Sequence, residues 1–240
     1  SIMDKLGVYY TVHKERKAVE YSVSELKRVY PDIKVYLVSD GGYDYSYLQT
    51  DTVKCVLGAD TLFFNKEITD QNFVEPRFQE LIKFNVSTTL DRLCKAIAYC
   101  RSEYIIMMDP DALIRGPLTI PDGVKLLGSR INYGLPAKYK EVLSSVEGAK
   151  VINCWGATPG IFHCDSFLEA LNKFQSVPSL LNKFVESFYA MYAHDVLLPT
   201  LFALIGEEET YNPECVHCIH HPHWESSGQP LVHQFRKHYE

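Results

Sequence analysis

The sequence predicts an α/β protein whose mostly parallel sheet is flanked by helices. Three observations predict it. Gly7–Val12 is a β-rich run, and Lys14–Tyr30 follows with Val19, Val23, Leu26 and Val29 at helical spacing. After the breaker Pro31–Asp32, Ile33–Val38 reads as a second strand ending at Ser39-Asp40-Gly41-Gly42. Farther on, Thr88-Thr89-Leu90-Asp91 opens a helix that buries Leu93, Ile97 and Cys100, and Tyr104–Met108 follows as a run apolar on both faces, as in a central parallel strand.

The remaining elements are weaker. Val53–Leu57 is a third, shorter strand, and residues 60–86 are irregular apart from a helical turn or two at Phe78–Phe84. Beyond Pro121-Asp122-Gly123, Val124–Ser129 reads as a strand and Tyr133–Val146 as a mobile polar connection. Val151–Cys164 carries turn residues between apolar pieces, and Phe167–Phe174, Leu180–Tyr192 and Asp195–Ile205 have helical character. The tail from Val216 is rich in His, Trp and Tyr. The chain reads as a single domain over residues 1–240.

Composition narrows the function classes. An apolar fraction of 46% with 22% charged residues supports a sizeable core, and the longest apolar run falls short of a membrane span. A net charge of −6 argues against a nucleic-acid partner, which needs a basic surface. Seven cysteines do not pair evenly, and Cys55, Cys94, Cys100 and Cys164 sit in apolar contexts. With no signal-peptide pattern at the start, the expectation is a reducing, cytoplasmic location.

The chemistry concentrates at Asp109-Pro110-Asp111. Two residues apart, the acids leave one face of an extended chain, and Pro110 keeps the residue before it out of the helical region. The pair falls at the C-terminal end of a buried strand, where open α/β sheets place ligands. Two adjacent carboxylates repel unless a proton or cation intervenes, and Mg²⁺ or Mn²⁺ on such a pair is completed by substrate phosphates. The plain alternative is that Asp109 opens a turn and Asp111 caps the next segment.

Tyr104-Ile-Ile-Met-Met-Asp-Pro-Asp111 resembles the Asp-x-Asp strand of the GT-A-fold glycosyltransferases. That resemblance implies a Rossmann-related fold with a nucleotide-sugar-binding half at 1–120 and an acceptor-side half at 121–240. It further implies that Asp109 and Asp111 bind Mn²⁺ or Mg²⁺ on the diphosphate of a nucleotide-sugar of the UDP type. By the same likeness Thr11 on the first strand, Asp40 at the end of the second and Arg92 on the preceding helix contact the nucleotide, although Arg92 falls one position from the family's usual arginine. The acceptor would be a glycan or glycoconjugate.

In the second half, Asp195 in Tyr192-Ala193-His194-Asp195-Val196 is the expected base for an inverting transfer, against the alternative of a helix N-cap; His194 ranks below it. Asn153-Cys-Trp-Gly-Ala-Thr-Pro-Gly-Ile-Phe162 resembles the family's Gly-rich segment under the sugar. There Gly156 allows close approach, while Trp155 is either a stacking face or a core residue of a hairpin. The family adds a late histidine to the metal; His220 is the first choice, with His217 and His221 as alternatives. A structural zinc at Cys215 and Cys218 is the rival use of that cluster. Rival functions are a sugar nucleotidyltransferase, which would want a glycine in Val12–Lys17, a haloacid-dehalogenase-type phosphatase, whose motif sits on the first strand, and a nucleotide-sugar-binding protein without catalysis.

Overall fold

The computed structural model describes residues 5–61, 67–129, 133–156 and 158–235. Part of the irregular stretch 60–86 and Ala157 of the Gly-rich segment lie outside the described residues. In chain order the elements are β1 (Leu6–Val12), α1 (Arg16–Val29), β2 (Val35–Asp40), β3 (Val53–Gly58), α2 (Pro76–Cys100), β4 (Tyr104–Met108), β5 (Ala112–Ile114), β6 (Leu126–Gly128), β7 (Tyr133–Gly134) and α3 (Ala137–Ser144). They continue with β8 (Cys154–Trp155), β9 (Ile161–His163), α4 (Cys164–Ser176), α5 (Leu180–Ser187), α6 (His194–Leu204), β10 (Thr210–Tyr211), β11 (Cys215–His217) and β12 (Leu231–His233).

The main sheet has the order β10-β6-β9-β4-β1-β2-β3. β4, β1, β2 and β3 are parallel, and β9 runs antiparallel between β4 and β6. Period-2 alternation explains why both faces are apolar. Tyr9, Val38, Ile105 and Met107 join the core under α2 and α4–α6, while Val8, Tyr10, Leu37, Ile106 and Met108 join the core under α1. The sheet therefore draws strands from both halves of the chain.

Two expectations are corrected. The helix placed at Thr88 is the second half of α2, a continuous element that starts at Pro76 in its first turn. No glycine or further proline interrupts residues 77–100, and Phe78, Ile82, Val86, Leu93, Ala96 and Cys100 form one buried stripe. The connection at Tyr133–Val146 is ordered: α3 buries Tyr139 and Leu143 one turn apart, and the Tyr139 hydroxyl hydrogen-bonds Thr200 on α6. Among the described residues no helix is long and apolar enough to cross a membrane.

A second, three-stranded sheet, β11-β12-β5, leans on α1 and supports the region beyond β4. The Ser22 hydroxyl on α1 binds both ways, meeting Tyr10 Oη at 2.8 Å and donating to Ala112 O at 2.6 Å. These bonds fix the start of β5, one residue past Asp111.

Candidate functional site

β4 ends at Met108 and the chain turns at once, with Ala112 N donating to Asp109 O at 3.1 Å. Pro110 takes the second position of this turn, which its fixed φ suits. The acids are therefore carried by a turn rather than by an extended strand, and they still converge. β12 runs antiparallel to β5 with His233 opposite Ala112. This register sets His233 Nε2 3.8 Å from Asp109 Oδ2 and 3.8 Å from Asp111 Oδ1. Among the described residues these three side chains form the one group of at least three acid, thiol or imidazole ligands close enough to share a metal ion, with ligand atoms within 4.8 Å of one another.

The separations decide what the cluster can do. At 3.8 Å neither contact is a hydrogen bond. Two ligands bonded at about 2.1 Å to one octahedral ion, by contrast, lie between about 3.0 and about 4.2 Å apart. Burial pushes the Asp109 carboxyl up, but contact with the His233 imidazole and the charges of His194 and His233 outweigh it, leaving its pKa below the ordinary value. Asp109 thus keeps the anionic form a cation requires.

His194 extends the cluster, with Nε2 3.7 Å from Asp109 Oδ1 and 3.6 Å from Asp195 Oδ1. Asp195 is not the N-cap of α6: Ala193 holds that position, and no side chain caps the helix. Instead its Oδ1 accepts from Thr158 N at 3.0 Å, which ties the Gly-rich segment to the base of α6. The side chains of Asp109 and Asp195 remain 27% and 33% exposed, open enough to meet a ligand. Gly156, two residues before Thr158, is buried at φ 129°, a conformation other residues rarely adopt. Trp155 lies in the β7–β8 pair, whose strands are separated by α3 rather than joined as a hairpin, and packs edge-on against Phe188, ring centroids 6.2 Å apart.

Thr11 is half-buried near the end of β1, opposite Val38 of β2. Asp40 and Arg92 meet, but each other. Arg92 donates to Asp40 Oδ1 at 2.7 Å and to Ala59 O at 2.7 Å, while Thr61 donates to Asp40 Oδ1 through its amide and to Oδ2 through its hydroxyl. Both side chains are 9% exposed. Gly58 makes room for this pair, because a Cβ there would stand 2.6 Å from the Arg92 guanidinium. The pair pins the turn after β3 and has little surface left for a ligand.

The expected late histidines lie elsewhere. His220 is exposed in the turn after β11. His217 is buried, with Nδ1 3.2 Å from His233 Nδ1 and Nε2 2.9 Å from Ser129 O, so both ring nitrogens are engaged away from the acids. The histidine that reaches the pair is His233. Its signal was present, since Leu231-Val232-His233 repeats the apolar–Val–His pattern of Cys215-Val216-His217. Glu209 also escapes the sequence. In Glu207-Glu208-Glu209 it reads as one of three solvated acids, yet it is 8% exposed and neither carboxyl oxygen has a hydrogen-bond partner. Burial first, then the charges of Asp195 and Glu208, pushes its pKa up to about 9.

The fold is that of the GT-A glycosyltransferases. The chain superposes on the galactosyltransferase LgtC in complex with donor and acceptor sugar analogues with a TM-score of 0.51, at 13% identity over 96% of this chain and 87% of that one. An active-site mutant of LgtC matches at 11% identity over 95% of this chain and 87% of that one, with a TM-score of 0.49. No protein-family model matches the sequence, and neither does any curated protein sequence.

Proposed function

We propose that this protein is a metal-dependent glycosyltransferase, moving a hexose or pentose from a nucleotide-diphosphate sugar of the UDP type to a hydroxyl of a glycan or glycoconjugate. The observation that carries this reading is the meeting of Asp109, Asp111 and His233 just beyond β4 in a GT-A fold. The structural neighbour that binds donor and acceptor sugar analogues supports sugar transfer as the reaction class.

Asp109, Asp111 and His233 would hold Mn²⁺ or Mg²⁺, and the imidazole nitrogen favours Mn²⁺ over the oxygen-seeking Mg²⁺. Bound there, the ion supplies Lewis acidity to the departing diphosphate. The chain's own residues handle the acceptor. Thr158 N and His194 orient Asp195 through Oδ1, and the other oxygen takes the hydroxyl proton. As that proton leaves, the acceptor oxygen bonds the anomeric carbon and the bond from that carbon to the diphosphate oxygen breaks. Inversion is the outcome this role requires. Thr11 and Gly156 face the donor, while Asp40 and Arg92 act by holding the turn that borders the nucleotide.

The test is a panel of UDP-hexoses and UDP-pentoses incubated with Mn²⁺. One donor is expected to be hydrolysed slowly, with loss of the activity on chelation. Absence of both hydrolysis and UDP binding across the panel overturns the proposal. Anomeric proton spectra of the transfer product read the stereochemistry, and a retained product would move Asp195 from base to orienting the donor sugar.

A further inference from the structure

The geometry points to His217 as the positioning residue that sets the tautomer of His233 and thereby turns a bare Nε2 toward Asp109 and Asp111. The inference rests on the metal-site reading above, and it starts from an unambiguous end. Ser129 O is a carbonyl and can only accept, so His217 Nε2, 2.9 Å away, carries a hydrogen. A neutral His217 then has a lone pair on Nδ1. The atom facing that lone pair at 3.2 Å is His233 Nδ1, which must bring the hydrogen. With an ion between the acids in place of a proton on Nε2, the neutral His233 keeps its hydrogen on Nδ1 and has its free lone pair on Nε2. That is the atom standing 3.8 Å from both carboxylates.

The strand register builds this relay. β11 and β12 are parallel with His217 opposite His233, so the two rings leave one face of the sheet and meet edge to face at 5.2 Å. Both histidines are 8% exposed, which keeps water from offering either nitrogen a competing partner. Ser129 is itself held, its hydroxyl donating to Pro159 O. Free imidazole prefers no such arrangement, and metal-bound histidines generally rely on a partner of this kind at the second nitrogen. Here that partner is a second histidine anchored on a backbone carbonyl.

Two variants and one spectrum test the relay. His217→Phe keeps an aromatic ring but removes the acceptor, and should weaken Mn²⁺ binding, measured by calorimetry, about 10- to 100-fold. His217→Gln can donate its amide to Ser129 O and accept from His233 with its carbonyl, and should restore most of the affinity. Imidazole ¹⁵N shifts of the metal-free wild type should show a protonated His233 Nδ1 and a bare His217 Nδ1. Wild-type affinity in His217→Phe, or the opposite assignment of the two nitrogens, overturns the inference. A wild type that binds no Mn²⁺ at all would instead count against the metal site, and the ¹⁵N assignment would still decide the relay. Should His217→Phe fail to fold, the spectrum and the glutamine variant carry the test.

Discussion

Replacing Glu209 by glutamine isolates one ionisation, because the amide keeps the shape of the acid and cannot lose a proton. The folded protein holds the Glu209 proton up to about pH 9, whereas an ordinary glutamate releases it at 4.5. Below about 4.5 both states are protonated, and the residue costs the fold no ionisation energy. As pH rises through the window from about 4.5 to about 9 the unfolded chain binds fewer protons than the native one, so stability falls. At about 1.4 kcal/mol per pH unit, the wild type has lost about 3 kcal/mol by pH 7 and about 6 kcal/mol at the top of the window. Glu209→Gln escapes this loss. The variant should match the wild type near pH 4.5, exceed it by about 3 kcal/mol at pH 7, and melt about 6–12 °C higher there for a domain of this size. Urea unfolding at pH 5, 7 and 8.5, without metal or nucleotide, gives the comparison. A stability gap that stays constant across these three conditions would refute the reasoning, since only a proton difference makes it grow.

Asp111→Asn should abolish Mn²⁺-dependent UDP binding with the melting curve intact, and unchanged calorimetric affinity would remove Asp111 from the metal site. Asp195→Asn should bind UDP normally and lose transfer by a factor of about 10²–10⁴, as expected for removal of a general base; near-normal turnover would exclude it as the base. Arg92→Leu strands the Asp40 carboxylate in a buried setting and should cost about 3–5 kcal/mol in urea unfolding. If Arg92 instead met only the nucleotide, that variant would lose UDP affinity and keep its stability.

How much of this was legible in the sequence differs by element. β1, β2 and β4 carry local signals strong enough to stand alone, because a strand buried on both faces needs an unbroken apolar run. The Asp109–Asp111 pair was legible for the same reason, as an abrupt change of polarity at the end of such a run. α2 was read as two pieces because Thr88 and Thr89 look like a helix start; only packing of the whole stripe from Phe78 to Cys100 overrides that local preference. His233 could not be chosen over His217 and His220 from spacing alone. Its place depends on β12 pairing with both β11 and β5, a long-range register that the local pattern does not encode. Arg92 and Asp40 each read as a nucleotide contact, and the sequence could not show that each is the other's partner. Glu209 was hidden for the opposite reason, since an acid among acids gives no sign of being buried.

The three-stranded sheet also has a consequence for the order in which the site comes into being. Asp109 and Asp111 emerge well before β12, the strand that brings His233 to them. A nascent chain stopped short of β12 would present two acids without their imidazole, and without the sheet pairing that fixes Ala112. Cation capture at the proposed site would thus be a late event in folding, delayed until segments distant in sequence have found each other. Metal uptake at that site would report on completion of the fold rather than on its beginning.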